Sequence, residues 1–355
     1  MKTDRLLYEE YVVAPDNIDG SVPGIARTPS GDILAVYRWG EEEIRGVFSR
    51  NGAATWEDPF VIARGDSMAD PSLLVTDTEV IIHYGVTEQF YERANAVPQF
   101  RETLWMQQIS QDNGRTWNKA TPVETGKKFS LSPHEGIVLR DGTLVWPFFW
   151  EEKCESQAEP TEAQMISVSS LMKSSDGGKR WVKGGDVRVD IPNGADEPSI
   201  VELSNGDLFM LIRTTIGRHY QCISKDRAEN WSIPTPSILV ASNTPAALYR
   251  LSWEPNRILV VWDNTLYIHA PNRFPLCVAI SEDDCRTWSH ARVLTNPGCQ
   301  VSYPGITSTK DGLVLVIWQQ WLKKHFIYHP PYTNIRTRLK CARFTVEWLK
   351  EGAPL

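Results

Sequence analysis

The chain has 355 residues, 41% of them hydrophobic and 23% charged, and a formal net charge of −7. Such a composition supplies a full globular core and argues against a phosphate backbone or an anionic membrane surface as partner. No uninterrupted apolar run reaches the ~18 residues of a membrane span.

Taken in chain order, the opening MKTDRLLYEEYVV carries charges where a secretory leader needs an apolar run, which implies a cytoplasmic protein. Within it, YEEYVV (8–13) reads as a strand whose partner lies elsewhere. From residue 27 onward two motifs alternate. The first is an apolar strand, a tight polar turn and a second apolar strand: RTPSGDILAVY (27–37), VTDTEVIIHY (75–84), LRDGTLVWPF (139–148), LSNGDLFMLI (203–212), EPNRILVVW (254–262) and TKDGLVLVIW (309–318). Asp-Gly and Asn-Gly between β-branched runs are strong hairpin signals, so six such units mean six similar β-elements.

The second motif has the form Ser-x-Asp-x-Gly-x-Thr-Trp and falls between the hairpins. It reads SRNGAATW (49–56), SQDNGRTW (110–117), SSDGGKRW (174–181), SKDRAENW (224–231) and SEDDCRTW (281–288), with departures at Asn51, Ala53, Ala228, Asn230 and Cys285. A short carboxylate closes such a turn onto backbone N–H groups while Trp packs beneath it. These turns lack the ligand count of a calcium loop, and neither a metal nor a cofactor is expected. The six Cys form no CxxC pair and no zinc spacing, and read as thiols in a reducing compartment. Longer insertions stand near 85–104, with EQFYERANAVPQF leaning over one face, and near 152–164.

This alternation resembles the Asp-box repeats of the sialidase superfamily over nearly the whole chain from about residue 20. The resemblance implies an all-β, six-bladed β-propeller of four-stranded antiparallel blades with five Asp-box turns, one domain spanning 1–355. Each hairpin would be the two inner strands of a blade, and each box the turn between strands three and four. The sixth blade has no box, and YEEYVV would supply its outer strand.

In that geometry the starts of the inner strands and the ends of their partners meet at one mouth of the ring, opposite the boxes. Asp70, His134, Glu135, Glu197, Tyr303, Arg38 and Arg213 should converge there, and Arg250, taken with Tyr249 as the start of its strand, would join them. The resemblance gives roles to some. DEPSIVELSNGDLFMLIR (196–213) is similar to the segment carrying a base, Glu197, and a substrate-binding Arg213. SYPGITSTKDGLVLVIW (302–318) is similar to that of the catalytic tyrosine, here Tyr303, NRFPLCVAIS (272–281) supplies Arg273, and DPSLLV (70–75) supplies Asp70 to the sugar pocket.

These residue types suit one chemistry. At a sugar carbon that itself bears a carboxylate, a tyrosine hydroxyl that gives its proton to Glu is a better nucleophile than an anionic carboxylate. Arginines hold the substrate carboxylate bidentately. Two positions depart from the family pattern. Ser21-Val22-Pro23 stands where an Arg-Ile-Pro motif supplies one clamping arginine, which Arg38 partly replaces, and Glu43 in EEEIRGVFS (41–49) stands where the acid is an Asp.

The expected function is therefore a glycoside hydrolase acting on a terminal acidic sugar, sialic acid-like or uronate, with a glycan as partner. A uronate polysaccharide lyase using His134 and Tyr303, and a non-catalytic sugar- or protein-binding propeller, are the alternatives. Among tryptophans outside the boxes, Trp39 and Trp150 are the candidates for the cavity.

Overall fold

The protein is described by a computed structural model covering residues 7–14, 19–88, 102–127, 129–154, 164–265, 273–295, 299–322 and 336–351. The middles of both expected insertions, 89–101 and 155–163, lie outside the described residues.

Alternating apolar runs and tight turns fold as six antiparallel sheets around an axis. Blade 1 holds Gly20–Arg27, Ile33–Trp39, Glu43–Ser49 and Phe60–Arg64, and blade 2 Met68–Val75, Val80–Glu88, Glu102–Ser110 and Thr121–Pro122. In blade 3 the inner strand is split into Ser130–Leu131 and Ile137–Val138, both paired to Leu144–Cys154, followed by Gln164–Ser174 and Val182–Lys183. Blade 4 is Asp196–Glu202, Leu208–Arg213, Arg218–Ser224 and Thr235–Val240. Blade 5 is Ala247–Arg250, Ile258–Asp263, Leu276–Ser281 and Ser289–Val293. Blade 6 takes Val301–Ser308, Val314–Trp321 and Thr337–Phe344, and its outer strand is Tyr8–Val13 from the start of the chain. That strand pairs in register from Tyr8 opposite Phe344 to Val13 opposite Leu339, closing the ring non-covalently as the sequence suggests.

The core lies between the blades. Six clusters of buried apolar side chains each bridge one pair of neighbours, including blades 6 and 1. Apolar burial at roughly 25 cal/mol per Å² therefore drives the association of blades as much as the folding of each one.

All five Asp boxes sit between strands three and four and share one hydrogen-bond pattern. In the second, the Ser110 hydroxyl donates to Asp112 Oδ1 (2.7 Å) and accepts from Gly114 N (2.7 Å), while Thr116 N donates to Asp112 Oδ1 (2.8 Å). The diverged copies keep the turn, with Ala53, Ala228 and Cys285 in the left-handed region at φ 66°, 65° and 64° where the second box has Gly114. Each such residue costs about 1 kcal/mol against glycine. Every box Trp packs into the interface with the preceding blade: Trp56 between blades 6 and 1, Trp117 between 1 and 2, Trp181, Trp231 and Trp288 onward around the ring. Blade 6 replaces its box with a short helix, Val346–Lys350, capped by the Thr345 hydroxyl accepting from Trp348 N. Trp348 stacks on Tyr8 at 4.6 Å and packs into the blade 5–6 cluster, doing there what the box tryptophans do elsewhere.

The boxes therefore hold the turns and the blade interfaces together. Ser110→Ala strands the buried Gly114 N–H and is expected to lower stability by about 1–3 kcal/mol. Chemical denaturation checks this, and an unshifted midpoint contradicts the assignment.

Candidate active site

Four inner strands carry the same local device. At Ser21/Gly24, Ala69/Ser72, Asp196/Ser199 and Ser302/Gly305 the inner strand advances three residues while its partner advances two, a bulge of one extra residue. Each bulge is an X-Pro pair: Val22-Pro23, Asp70-Pro71, Glu197-Pro198 and Tyr303-Pro304. Proline cannot donate to the ladder, so the pair sits where the ladder is interrupted. The residue before proline is driven into the left-handed region, at φ 46° for Val22, 38° for Asp70, 31° for Glu197 and 54° for Tyr303. Strain at non-glycine residues of this kind, about 1–3 kcal/mol each, clusters at functional sites. Three of the four strained residues are ionisable.

The Tyr303 hydroxyl donates to Glu197 Oε1 at 3.3 Å. Glu197 Oε2 is bound by Arg213 Nη1, and Arg213 is braced further by Asn243 Oδ1, which accepts from Nε at 2.7 Å, and by Asp196 Oδ2 at 3.7 Å. Arg273 Nη1 donates to Ser302 Oγ at 2.7 Å, which holds the guanidinium 6.0 Å from the centre of the Tyr303 ring and 5.6 Å from that of Trp321. Arg38 Nε donates to Ser21 Oγ at 3.1 Å. Asp70 lies within the electrostatic reach of Arg38, Glu197 and Arg213. One constellation therefore gathers Tyr303, Glu197, Arg213, Arg273, Asp70 and Arg38 on the side away from the boxes.

Electrostatics divide these groups. Burial, reinforced by the Glu197 charge, pushes the Tyr303 phenol up to about 12, so it is neutral at rest. Burial raises Asp70 to about 6 against the pull of Arg38. Asp196 is raised to about 7 and Asp263, at the same end of blade 5, also to about 7, again chiefly by burial. Among the described residues no group of three His, Cys, Asp or Glu side chains is placed to hold a metal ion.

The match to the BNR repeat-like domain spans residues 31–316. The chain belongs to the BNR repeat-like domain family. Its fold is similar to that of a protein of unknown function from Dyadobacter fermentans, at TM-score 0.74 and 17% identity over 96% of this chain and 99% of that one. It is similar also to a Hadza microbial sialidase (TM-score 0.69, 20% identity, 90% of this chain and 65% of that one). A third likeness is to the intramolecular trans-sialidase of Ruminococcus gnavus in complex with oseltamivir carboxylate (TM-score 0.69, 18% identity, 93% and 95%). The chain thus spans just under two thirds of the Hadza enzyme, and at these identities the likeness is one of fold. No curated protein matches the chain.

Three expectations are corrected in this BNR repeat-like chain. Glu43 is not a free acid: it lies on the third strand of blade 1, and its carboxylate accepts from Arg45 Nε at 2.6 Å and Arg64 Nε at 2.9 Å. The bond from Arg45 holds it below the usual glutamate range, so it has no proton to deliver. Arg250 lies at the box end of the ring, donating from Nε to Glu202 O at 2.8 Å, 3.6 Å from Asp284 of the fifth box. Its strand begins at Ala247, two residues after Pro245, and the turn to the next strand is long, so Arg250 ends the strand rather than opening it. Glu135 points away from Glu197 and Arg213, down the axis, where its Oε1 accepts from Ile25 N at 2.9 Å.

His134 does approach Glu197 and Arg213, but only 2% of it is exposed, neither ring nitrogen has a hydrogen-bond partner, and burial lowers it to about 4. Trp150 is covered by Lys127 at 3.3 Å, and Trp39 by Arg45 at 3.7 Å, so neither offers an open ring face on that side. The residues missed from the sequence are Asn243 and Ser302, which brace Arg213 and Arg273; Asp196 and Asp263, at the strand ends that the sequence places at the mouth, are neighbours of the same two arginines.

The buried carboxyls have a consequence for pH. Asp70, Asp196 and Asp263 have folded values raised from the ordinary aspartate value near 4 to about 6, 7 and 7. A raised value means the folded state holds its proton more tightly, so this stabilisation is complete below pH ~4 and is lost as pH rises through 6–7. The box carboxylates Asp112, Asp176 and Asp226 are lowered to about 2 and act only below that window. The buried His83, His134 and His219, lowered to about 3, 4 and 4, work in the opposite sense only below pH ~6.5, so the melting temperature is expected to be higher at pH 7 than at pH 8, and Asp263→Asn should shrink the difference. Equal melting temperatures, or a lower one at pH 7, contradict the burial assigned to these carboxyls.

Proposed function

We propose that the chain is a glycoside hydrolase that removes a terminal acidic sugar, a nonulosonate or a uronate, from a glycan through a tyrosyl-enzyme intermediate. The observation that carries this reading is the hydrogen bond from the Tyr303 hydroxyl to Glu197, with Arg213 on the far oxygen of that carboxylate.

In the first step Tyr303 Oη bonds to the anomeric carbon while its proton passes to Glu197 Oε1, and the bond to the leaving oxygen breaks. That oxygen takes its proton from Asp70, whose value near 6 keeps a usable protonated fraction in mildly acidic solution. In the second step water attacks the same carbon, gives a proton back to Asp70, and the Tyr303 oxygen leaves and recovers its proton from Glu197. Arg213, Arg273 and Arg38 hold the substrate carboxylate. Asp70 thus takes the acid role in place of Glu43, whose proton is absent. Arg38, brought to Ser21, supplies the charge that the family's arginine supplies at that position.

A proton exchange by His134, which the lyase reading needs, is not favoured by a neutral ring buried among partners it does not touch. A screen of sialosides and uronosides tests the proposal, with Tyr303→Phe as the control. Release of a free acidic sugar by the native chain and not by the variant supports it. Binding with no turnover of any acidic glycoside points to a binding propeller, and an unsaturated, ultraviolet-absorbing product to a lyase.

A further inference from the structure

Five blades enter through one residue order, and its first position has a recurring task. In SVPG (21–24), ADPS (69–72), DEPS (196–199), NTPA (243–246) and SYPG (302–305) the residue two before the proline is Ser21, Ala69, Asp196, Asn243 or Ser302. Four of these five lie against an arginine. Ser21 Oγ accepts from Arg38 Nε at 3.1 Å, Asn243 Oδ1 from Arg213 Nε at 2.7 Å and Ser302 Oγ from Arg273 Nη1 at 2.7 Å. Asp196 Oδ2 stands 3.7 Å from Arg213 Nε.

These seats differ in charge. Arg213 stands beside two carboxyls, Glu197 and Asp196, so its charge is balanced within the protein. Arg273 rests on a serine hydroxyl and has no ion pair among the described residues; Asp263 is within its electrostatic reach but not at ion-pair distance. A hydroxyl fixes a guanidinium without neutralising it. Arg273 is held at its backbone as well. Gln300 Oε1 accepts from Arg273 N at 2.8 Å, and Val301 N donates to Arg273 O at 2.9 Å. Gln300, Val301 and Ser302 therefore grip one arginine, and the next residue is Tyr303. Of the three contacts, the one from the fully buried Ser302 acts on the guanidinium. An arginine fixed in this way gives up its rotamer freedom on folding rather than on binding.

We propose that Ser302 is a positioning residue: its neutral hydroxyl aims the guanidinium of Arg273 at the substrate carboxylate, in register with Tyr303, and leaves the positive charge for the substrate. The anion is the acidic sugar of the proposed hydrolase, so the role of Ser302 rests on that reading. The same position in blade 4 carries Asp196, a countercharge, where Arg213 serves the base Glu197.

The test is calorimetric titration of the full chain with N-acetylneuraminate and with glucuronate, each beside its neutral methyl ester; no turnover is needed. The native chain should bind one of the acids saturably and prefer it to its ester. Ser302→Ala should weaken the acid about tenfold and leave the ester unchanged, a split that loss of packing does not produce. Ser302→Asp, which sets a countercharge on Arg273, should weaken the acid further. On an acidic glycoside Ser302→Ala should raise KM about tenfold with kcat within about twofold. In an Arg273→Ala background it should change kcat/KM by less than about twofold, since no guanidinium is left to aim. Ser237→Ala, a buried serine on the outer strand of blade 4, should change none of these. Undiminished acid binding in Ser302→Ala, equal losses of acid and ester, or full affinity in Ser302→Asp overturns this assignment alone. A native chain that takes up neither acid by about 10 mM contradicts the hydrolase reading, and this assignment with it.

Discussion

Tyr303→Phe is expected to lower kcat on the released acidic sugar by at least about 10³-fold with KM little changed. The substitution deletes one oxygen and keeps the ring that Arg273 approaches at 6.0 Å, so binding of the substrate carboxylate survives. What disappears is the atom that, on the proposed reading, forms the bond to the anomeric carbon. Glu197→Gln should fall into the same class, because an amide cannot take the proton that Tyr303 donates at 3.3 Å. The two losses should not add in the double variant, since both residues serve one proton transfer. Steady-state kinetics with binding measured in parallel check this. Undiminished turnover in Tyr303→Phe rules out the nucleophile.

Arg213→Ala is expected to have the largest effect on stability. The Arg213 and Glu197 side chains are only 10% and 6% exposed, and the pair is completed by Asn243 and Asp196. Removing one partner of a buried pair leaves the other charge without compensation and typically costs about 3–5 kcal/mol. Here Asp196, already raised to about 7 by burial, also loses the cation that opposes that rise and should take up a proton more readily still, so the loss should be smaller at pH 5.5 than at pH 8. Arg213→Lys should recover part of the stability through its charge. Activity should stay low, because an ammonium cannot contact Glu197 and Asn243 as a fork while also reaching a substrate carboxylate. Denaturation midpoints at the two pH values, beside kcat/KM, make the comparison. A loss below about 1 kcal/mol, the range of exposed pairs, contradicts the buried network.

The ring was legible in the sequence because its parts repeat in phase. Hairpins such as LRDGTLVWPF and boxes such as SQDNGRTW alternate, and YEEYVV was left over as the missing outer strand. Less legible was what replaces a box once its residues are gone. Trp348 sits on a helical turn with no Ser-x-Asp, yet it fills the blade 5–6 interface because the packing requires a large ring and not a particular turn. The conserved geometry of the diverged boxes likewise rests on backbone bonds to Ser and Asp or Asn side chains, which Ala53, Ala228 and Cys285 do not disturb.

The site was half legible, and a third repeat explains the division. SVPG (21–24), ADPS (69–72), DEPS (196–199) and SYPG (302–305) are four copies of one X-Pro bulge, the residue before each proline has a positive φ, and the three ionisable ones reach the site. Asp70, Glu197 and Tyr303 follow from it. Arg250 fails it, since the prolyl pair of blade 5 is Thr244-Pro245, one strand length earlier. Glu135 fails it because blade 3 has Pro133 ahead of His134 and a broken inner strand, which sends neighbouring side chains to opposite ends of the axis. Glu43 was misplaced for another reason: strand pairing sets it beside Arg64, and no local pattern reveals an ion pair across 21 residues.

The most direct measurement of the covalent step uses an activated analogue of the sugar that the chain turns over, with fluorine on the carbon next to the anomeric centre. Fluorine destabilises the oxocarbenium-like transition states, and a good leaving group lets the first step outrun the second. Mass spectrometry of the intact chain and of its peptides should then find one added glycosyl group, on the peptide containing Tyr303, and none in Tyr303→Phe. A glycosyl group on an Asp or Glu, or hydrolysis with no adduct and an unaffected Tyr303→Phe variant, contradicts the account.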